Sequence, residues 1–185
     1  MIVDASQSLL LFIDLQTKLV PAIDQAETCL SRCQILLKAA RRLEIPVLAT
    51  EHCSDRVGTT VPLLANDLTA SEVIEKRHFN GMLEPSLRTA LLDQSKRIVV
   101  VAGMEAHVCV LQTVLGLMDA GYDPVLVADA VGSRKPSSRE LAISRLRQHG
   151  INIVDSEMVM FEWLKAGDTD AFKALLPIIK SGSVS

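Results

Sequence analysis

Short unbroken apolar runs alternate along this chain with segments whose apolar residues recur every three or four positions. The first kind reads as a strand buried on both faces, the second as an amphipathic helix. Strands are predicted at Ser8–Ile13, ending at Asp14, at Pro46–Thr50, and from Val73 through Glu75 to Lys76. Three more follow at Ile98–Ala102, at Pro124–Ala128, ending at Asp129, and at Ile151–Val154. Helices are predicted over Gln25–Leu43, over Leu83–Asp93 with Pro85 in the first turn, and from Ala106 to Gly121. Ser137–His149 is another, stopped by Gly150, and Val159–Lys165 and Thr169–Lys180 form a helical tail. The longest irregular stretch, His52–Ala70, is expected to be a functional lid or binding loop. Strands alternating with helices imply a parallel sheet covered on both faces, joined by right-handed crossovers.

Composition narrows the class. No repeat, low-complexity tract or linker divides residues 1–185, so one domain is expected. With 49% hydrophobic and 3% aromatic residues, the core should be built from Val, Leu, Ile and Ala. A net charge of −3 and the lack of a basic stripe with interleaved aromatics argue against nucleic acid or an anionic membrane surface as partner. No run is long enough to span a bilayer, and no secretory leader pattern opens the chain, so a soluble cytoplasmic protein is expected. The cysteines, Cys29, Cys33, Cys53 and Cys109, are too few for a disulfide scaffold, which fits a reducing compartment.

The stretch from Arg97 to Gly121 carries the first candidate chemistry. A buried strand meets a helix across a short turn, and Cys109 lies in or near that helix's first turn. Ligands bind at this strand-end position in open α/β sheets. The positive end of a helix dipole favours thiolate, although a buried inert cysteine reads equally well from this stretch alone. Two other residues sit at equivalent places. Asp14 follows the first strand and Lys76 ends the third, so in a parallel sheet all three share one edge. A helix cap for Asp14, or a solvated strand end for Lys76, is the commoner use of either residue singly. Together they supply what a hydrolytic thiol needs: a cation to favour thiolate and a base to take its proton.

Four segments carry a resemblance: LLFIDLQTKLVPAI (10–23), VIEKRHFNGM (73–82), the stretch 99–134 containing GMEAHVCVLQT, and the tail after Ser156. With them the chain resembles the isochorismatase-like cysteine hydrolases over nearly its whole length, closest to the branch named isochorismatase domain-containing proteins. The resemblance implies a Rossmann-like three-layer α-β-α sandwich with a six-stranded parallel sheet. It implies a catalytic triad of Asp14, Lys76 and Cys109. It also implies a cis Met104–Glu105 peptide and an oxyanion hole made by the backbone N–H groups of Glu105 and Cys109. The expected function is hydrolysis of an amide, carbamoyl or ester carbonyl of a small molecule through a thioester. Assembly as a homo-oligomer, a dimer or tetramer, is implied as well, and the apolar tail helices suit either a subunit contact or packing on their own domain.

Nicotinamidases resemble the same family but carry an Asp-x-His motif after the second strand, where this chain reads Glu51-His52-Cys53-Ser54-Asp55. The spacing of His52 and Asp55 does not match, so neither metal nor cofactor is expected, and Glu51, His52 and Phe79 are expected to line the substrate pocket. Cys29 and Cys33, one helical turn apart, read as small core residues, and Cys53 as incidental. His107 is assigned to packing or hydrogen bonding, Gln112 and Thr113 to supporting the fold. The rival readings are a metal-assisted amidase, a non-catalytic oligomeric scaffold and a thiol sensor.

Overall fold

The computed structural model describes residues 1–181. Its six strands form one wholly parallel sheet: β1 (Ser8–Ile13), β2 (Val47–His52), β3 (Val73–Lys76), β4 (Ile98–Met104), β5 (Asp123–Gly132) and β6 (Asn152–Val154). Their order across the sheet is β3-β2-β1-β4-β5-β6. Strand order therefore reverses between β1 and β4, and the carboxyl ends of those two strands flank the crevice where open α/β sheets take ligands.

Every residue of β1 and β4 is buried, as unbroken apolar runs require. Alternation divides them between two cores. Leu10, Phe12, Val100 and Ala102 face one layer of α1 (Ala26–Arg42), α7 (Ser156–Leu164) and α8 (Asp170–Ser181). Leu9, Leu11, Ile13, Val99 and Val101 face the other, of α4 (Pro85–Gln94), α5 (Leu111–Asp119) and α6 (Pro136–Gln148). The tail helices pack on their own sheet: Val159, Met160, Trp163 and Leu175 lie in the first core, and the Trp163 indole N–H donates to Ser8 Oγ at 3.1 Å.

Several boundaries differ from the sequence reading. The stretch 52–70 is not continuously irregular. It holds two single-turn helices, α2 (Ser54–Val57) and α3 (Pro62–Ala65), and Thr60 bridges Gln16. Their apolar positions are too few to show a period. Gly103 does not end β4; at φ +135° it stays in the strand, because a Cβ there would collide with the Ile13 carbonyl oxygen of the paired β1. Similarly β5 continues past Asp129, whose carboxylate accepts from Ser156 N–H (2.8 Å) and Oγ (2.6 Å) rather than turning the chain.

Candidate active site

The close approach of β1 and β4 at Gly103 sets the residues after each strand beside one another. Asp14, the first residue beyond β1, has φ +52°. Its N–H donates to Thr50 O at 3.1 Å and its Oδ1 accepts from Thr50 Oγ1 at 2.8 Å. The Lys76 ammonium, from the end of β3, lies 2.8 Å from Asp14 Oδ2 and also donates to His78 O at 3.2 Å. Oδ2 has no other partner aligned on it. Cys109 is buried in the core that Ile13 and Ile74 share, close enough to Asp14 and Lys76 to feel both charges. Asp14 is 0%, Lys76 1% and Cys109 6% exposed, so an acid, a cation and a thiol meet with almost no water around them.

Cys109 does not lie in the first turn of an α-helix. It lies in a π-helical turn (Ala106–Val110) that precedes α5. Nor does its surroundings' field favour thiolate. Burial first, then the Asp14 charge, push its pKa up to about 12, against which Lys76 pulls the other way. The resting thiol is therefore protonated at neutral pH. The folded protein holds that proton more tightly than the unfolded chain does, so the contribution to stability is present below about pH 9 and lost as pH climbs towards 12. Alkylation of Cys109 by iodoacetamide, followed by mass spectrometry, is expected to accelerate about tenfold per pH unit from 7 to 10. A plateau reached below pH 8 would instead reveal a preformed thiolate.

The other expected site residues divide. His52 pairs with Lys76 in the β2–β3 register and shares the strand face of Leu48 and Thr50. Its ring packs on Phe79, centroids 5.2 Å apart, and burial followed by the Lys76 charge holds its pKa below the ordinary imidazole value. Glu51 departs from the expectation that it lines the same pocket. Strand alternation turns it to the opposite face, that of Val47 and Ala49, where its Oε1 accepts from Thr60 N–H (2.6 Å) and Oγ1 (2.8 Å) and pins the 52–70 segment. Asp55 is largely exposed beside Arg56, apart from His52's buried Nδ1. Among the described residues no three His, Cys, Asp or Glu side chains gather as a metal site. Cys29 and Cys33 are core residues, and Cys53 sits at the start of α2 with its N–H donating to Lys76 O at 2.9 Å.

Of the supports, sequence reading named only Thr113, which it assigned to supporting the fold. Thr50 orients Asp14. Gln16 brackets His52, accepting from its N–H at 2.8 Å and donating to its carbonyl at 3.1 Å. Glu84 accepts from the N–H groups of His78 and Arg77, which lower its pKa to about 2 and fix the loop that leaves Lys76. Thr113 holds that loop's far end, accepting from Gly81 N–H at 2.9 Å and donating to Phe79 O. Of the other three, only Thr50 had a readable signal, its place beside the strand end. The Met104–Glu105 peptide is cis.

Residues 8–158 match the isochorismatase domain family. The chain is 36% identical over 168 residues to isochorismatase domain-containing protein 1 of Danio rerio, a match covering 90% of this chain and 59% of that protein. Thus the chain spans well under two thirds of that relative's length. Among solved structures it superposes on the MAR1 ribonuclease of Caenorhabditis elegans with a TM-score of 0.90 at 31% identity, covering 98% and 94% of the two chains. The fold is shared as well by the YcaC gene product of Escherichia coli, described as an octameric hydrolase of unknown specificity (TM-score 0.91, 22% identity, 98% and 90% covered).

Proposed function

Because the chain belongs to the isochorismatase family, we propose that it is a cysteine hydrolase acting on the carbonyl of a small amide, carbamoyl compound or ester. The observation that carries this reading is the wholly enclosed Asp14–Lys76 ion pair, with the buried Cys109 thiol close enough to feel both charges. A protonated thiol beside an enclosed carboxylate is arranged for general-base activation at the moment of attack rather than for a standing thiolate.

In this mechanism Asp14 takes the Cys109 proton, and sulfur attacks the carbonyl carbon while the C=O π pair moves onto oxygen. Lys76 offsets the negative charge. The N–H groups of Glu105 and Cys109 donate to the oxyanion, each such donor being worth about 3 kcal/mol in a dry site. Collapse breaks the C–N or C–O bond, and the leaving ammonia, amine or alcohol takes the proton from Asp14. Water then adds to the thioester, Asp14 again receiving a proton, and expulsion of the sulfur returns that proton to Cys109. His52 and Phe79 form the near wall of the pocket in this reading. The site needs no metal or cofactor for any of these steps. We also propose a soluble homo-oligomer; no helix among the described residues is long and apolar enough to cross a membrane.

A panel of carboxamides, carbamoyl compounds and esters, scored for ammonia or acid release and for an acyl adduct on Cys109 by rapid-quench mass spectrometry, tests the proposal. An acylated Cys109 peptide with a hydrolysed member of the panel is the expected result. An RNA oligonucleotide belongs in the panel because of the C. elegans neighbour's name. Cleavage of RNA alone, with no acylation by any carbonyl compound, would overturn the reading.

A further inference from the structure

Glu105 is the last residue before the turn that carries Cys109, and its carboxylate is buried. Three contacts hold it. Arg134 Nε lies 2.5 Å from Oε1, the Arg134 backbone N–H donates to Oε2 at 3.3 Å, and His107 Nδ1 lies 3.3 Å from Oε2. His107 Nδ1 also lies 3.0 Å from the Oγ of buried Ser133. The Glu105 carbonyl in turn accepts from the N–H groups of Val108 (3.1 Å) and Val110 (3.2 Å), so one residue anchors the turn's backbone on both sides of Cys109. Met104 and Gly132 are the last registered pair of β4 and β5. The contacts from Ser133 and Arg134 therefore clamp the two strands where they part.

We propose that Arg134 is a positioning residue for the reaction: through Glu105 it holds the Cys109 turn so that the Glu105 and Cys109 N–H groups keep their aim at the reacting carbonyl oxygen. This rests on the cysteine-hydrolase reading. A buried carboxylate stripped of its cation is strongly disfavoured. Without Arg134 the Glu105 side chain swings to solvent, and its backbone follows. Misplacement of a reacting group by about 1 Å is enough to lose on the order of a hundredfold in rate.

Two probes of the same sulfur separate aim from nucleophilicity. p-Nitrophenyl acetate acylates Cys109 through attack on a carbonyl carbon, with an oxyanion forming before p-nitrophenolate leaves. Iodoacetamide alkylates it by displacing iodide from a saturated carbon, with no oxyanion. Arg134→Ala is expected to slow acylation about ten- to a hundredfold while alkylation stays within about twofold of wild type. Arg134→Lys should recover part of the loss, Glu105→Gln should lose a similar amount, and the double variant Arg134→Ala/Glu105→Gln should be no slower than the worse single one. Equal loss in both probes, or loss in neither, would overturn the clamp. Arg134→Lys and Glu105→Gln keep the question answerable where Arg134→Ala fails to fold. Acylation that survives Cys109→Ala, or no acylation of wild type at all, would instead sink the reading beneath it.

Discussion

Cys109→Ala is expected to lower turnover of any hydrolysed panel member about 10⁵-fold or more, to the rate that binding alone supports, because no thioester forms without the sulfur. Folding should survive. The substitution removes one sulfur from a second-core position and with it a thiol whose ionisation the fold already opposes, so thermal denaturation should shift by only a few degrees, about 1 kcal/mol. Cys109→Ser separates the roles further. It keeps a donor beside Asp14 but is a far poorer nucleophile, and should be nearly as inactive. Steady-state ammonia release, paired with denaturation curves, reads both quantities. Turnover within about tenfold of wild type in a folded Cys109→Ala protein would remove sulfur from the mechanism.

Lys76→Met should cost stability as well as rate. It leaves the Asp14 carboxylate, wholly enclosed, without its cation, and breaking a buried pair in this way costs about 3–5 kcal/mol. Asp14→Asn does the complementary damage, stranding an enclosed ammonium and removing the base, with an expected rate loss of about 10²–10⁴-fold. The double variant Asp14→Asn/Lys76→Met has no unpaired charge left and should regain most of the lost stability while remaining inactive. Urea denaturation of the four proteins closes the thermodynamic cycle. Independent, additive losses would mean that the two side chains do not interact in solution.

The inactive but restored double variant would also show why these residues are where they are. On that result the charges would serve chemistry rather than the fold. That inference was already available, in outline, before any coordinates. Asp14 follows the first strand, Lys76 ends the third and Cys109 lies in the turn after the fourth, and parallel strands bring all their carboxyl ends to one edge. The irregular segment 52–70 was less legible. Its two short helices are single turns, and Glu51 is expected at the pocket with His52 only because both stand where nicotinamidases carry their Asp-x-His motif. Strand parity sends neighbours to opposite faces, but parity is useful only once the register and the face of the site are known.

Read alone, the amino-acid order determined the six strands and the longer helices in their order, the shared edge of the three chemical groups and the kinship they imply, because period and strand-end position are local properties of the chain. Tertiary structure decided what depends on distance across it. It set the reversal of strand order between β1 and β4, the contact that only glycine permits at 103, and the grip of Thr50 on Asp14. It placed Arg134, 29 residues away in sequence, against Glu105. It also reversed the expected sign of the Cys109 shift. A helix end near a cysteine is visible in a string of letters, whereas the water excluded around it and the carboxylate brought beside it exist only after folding.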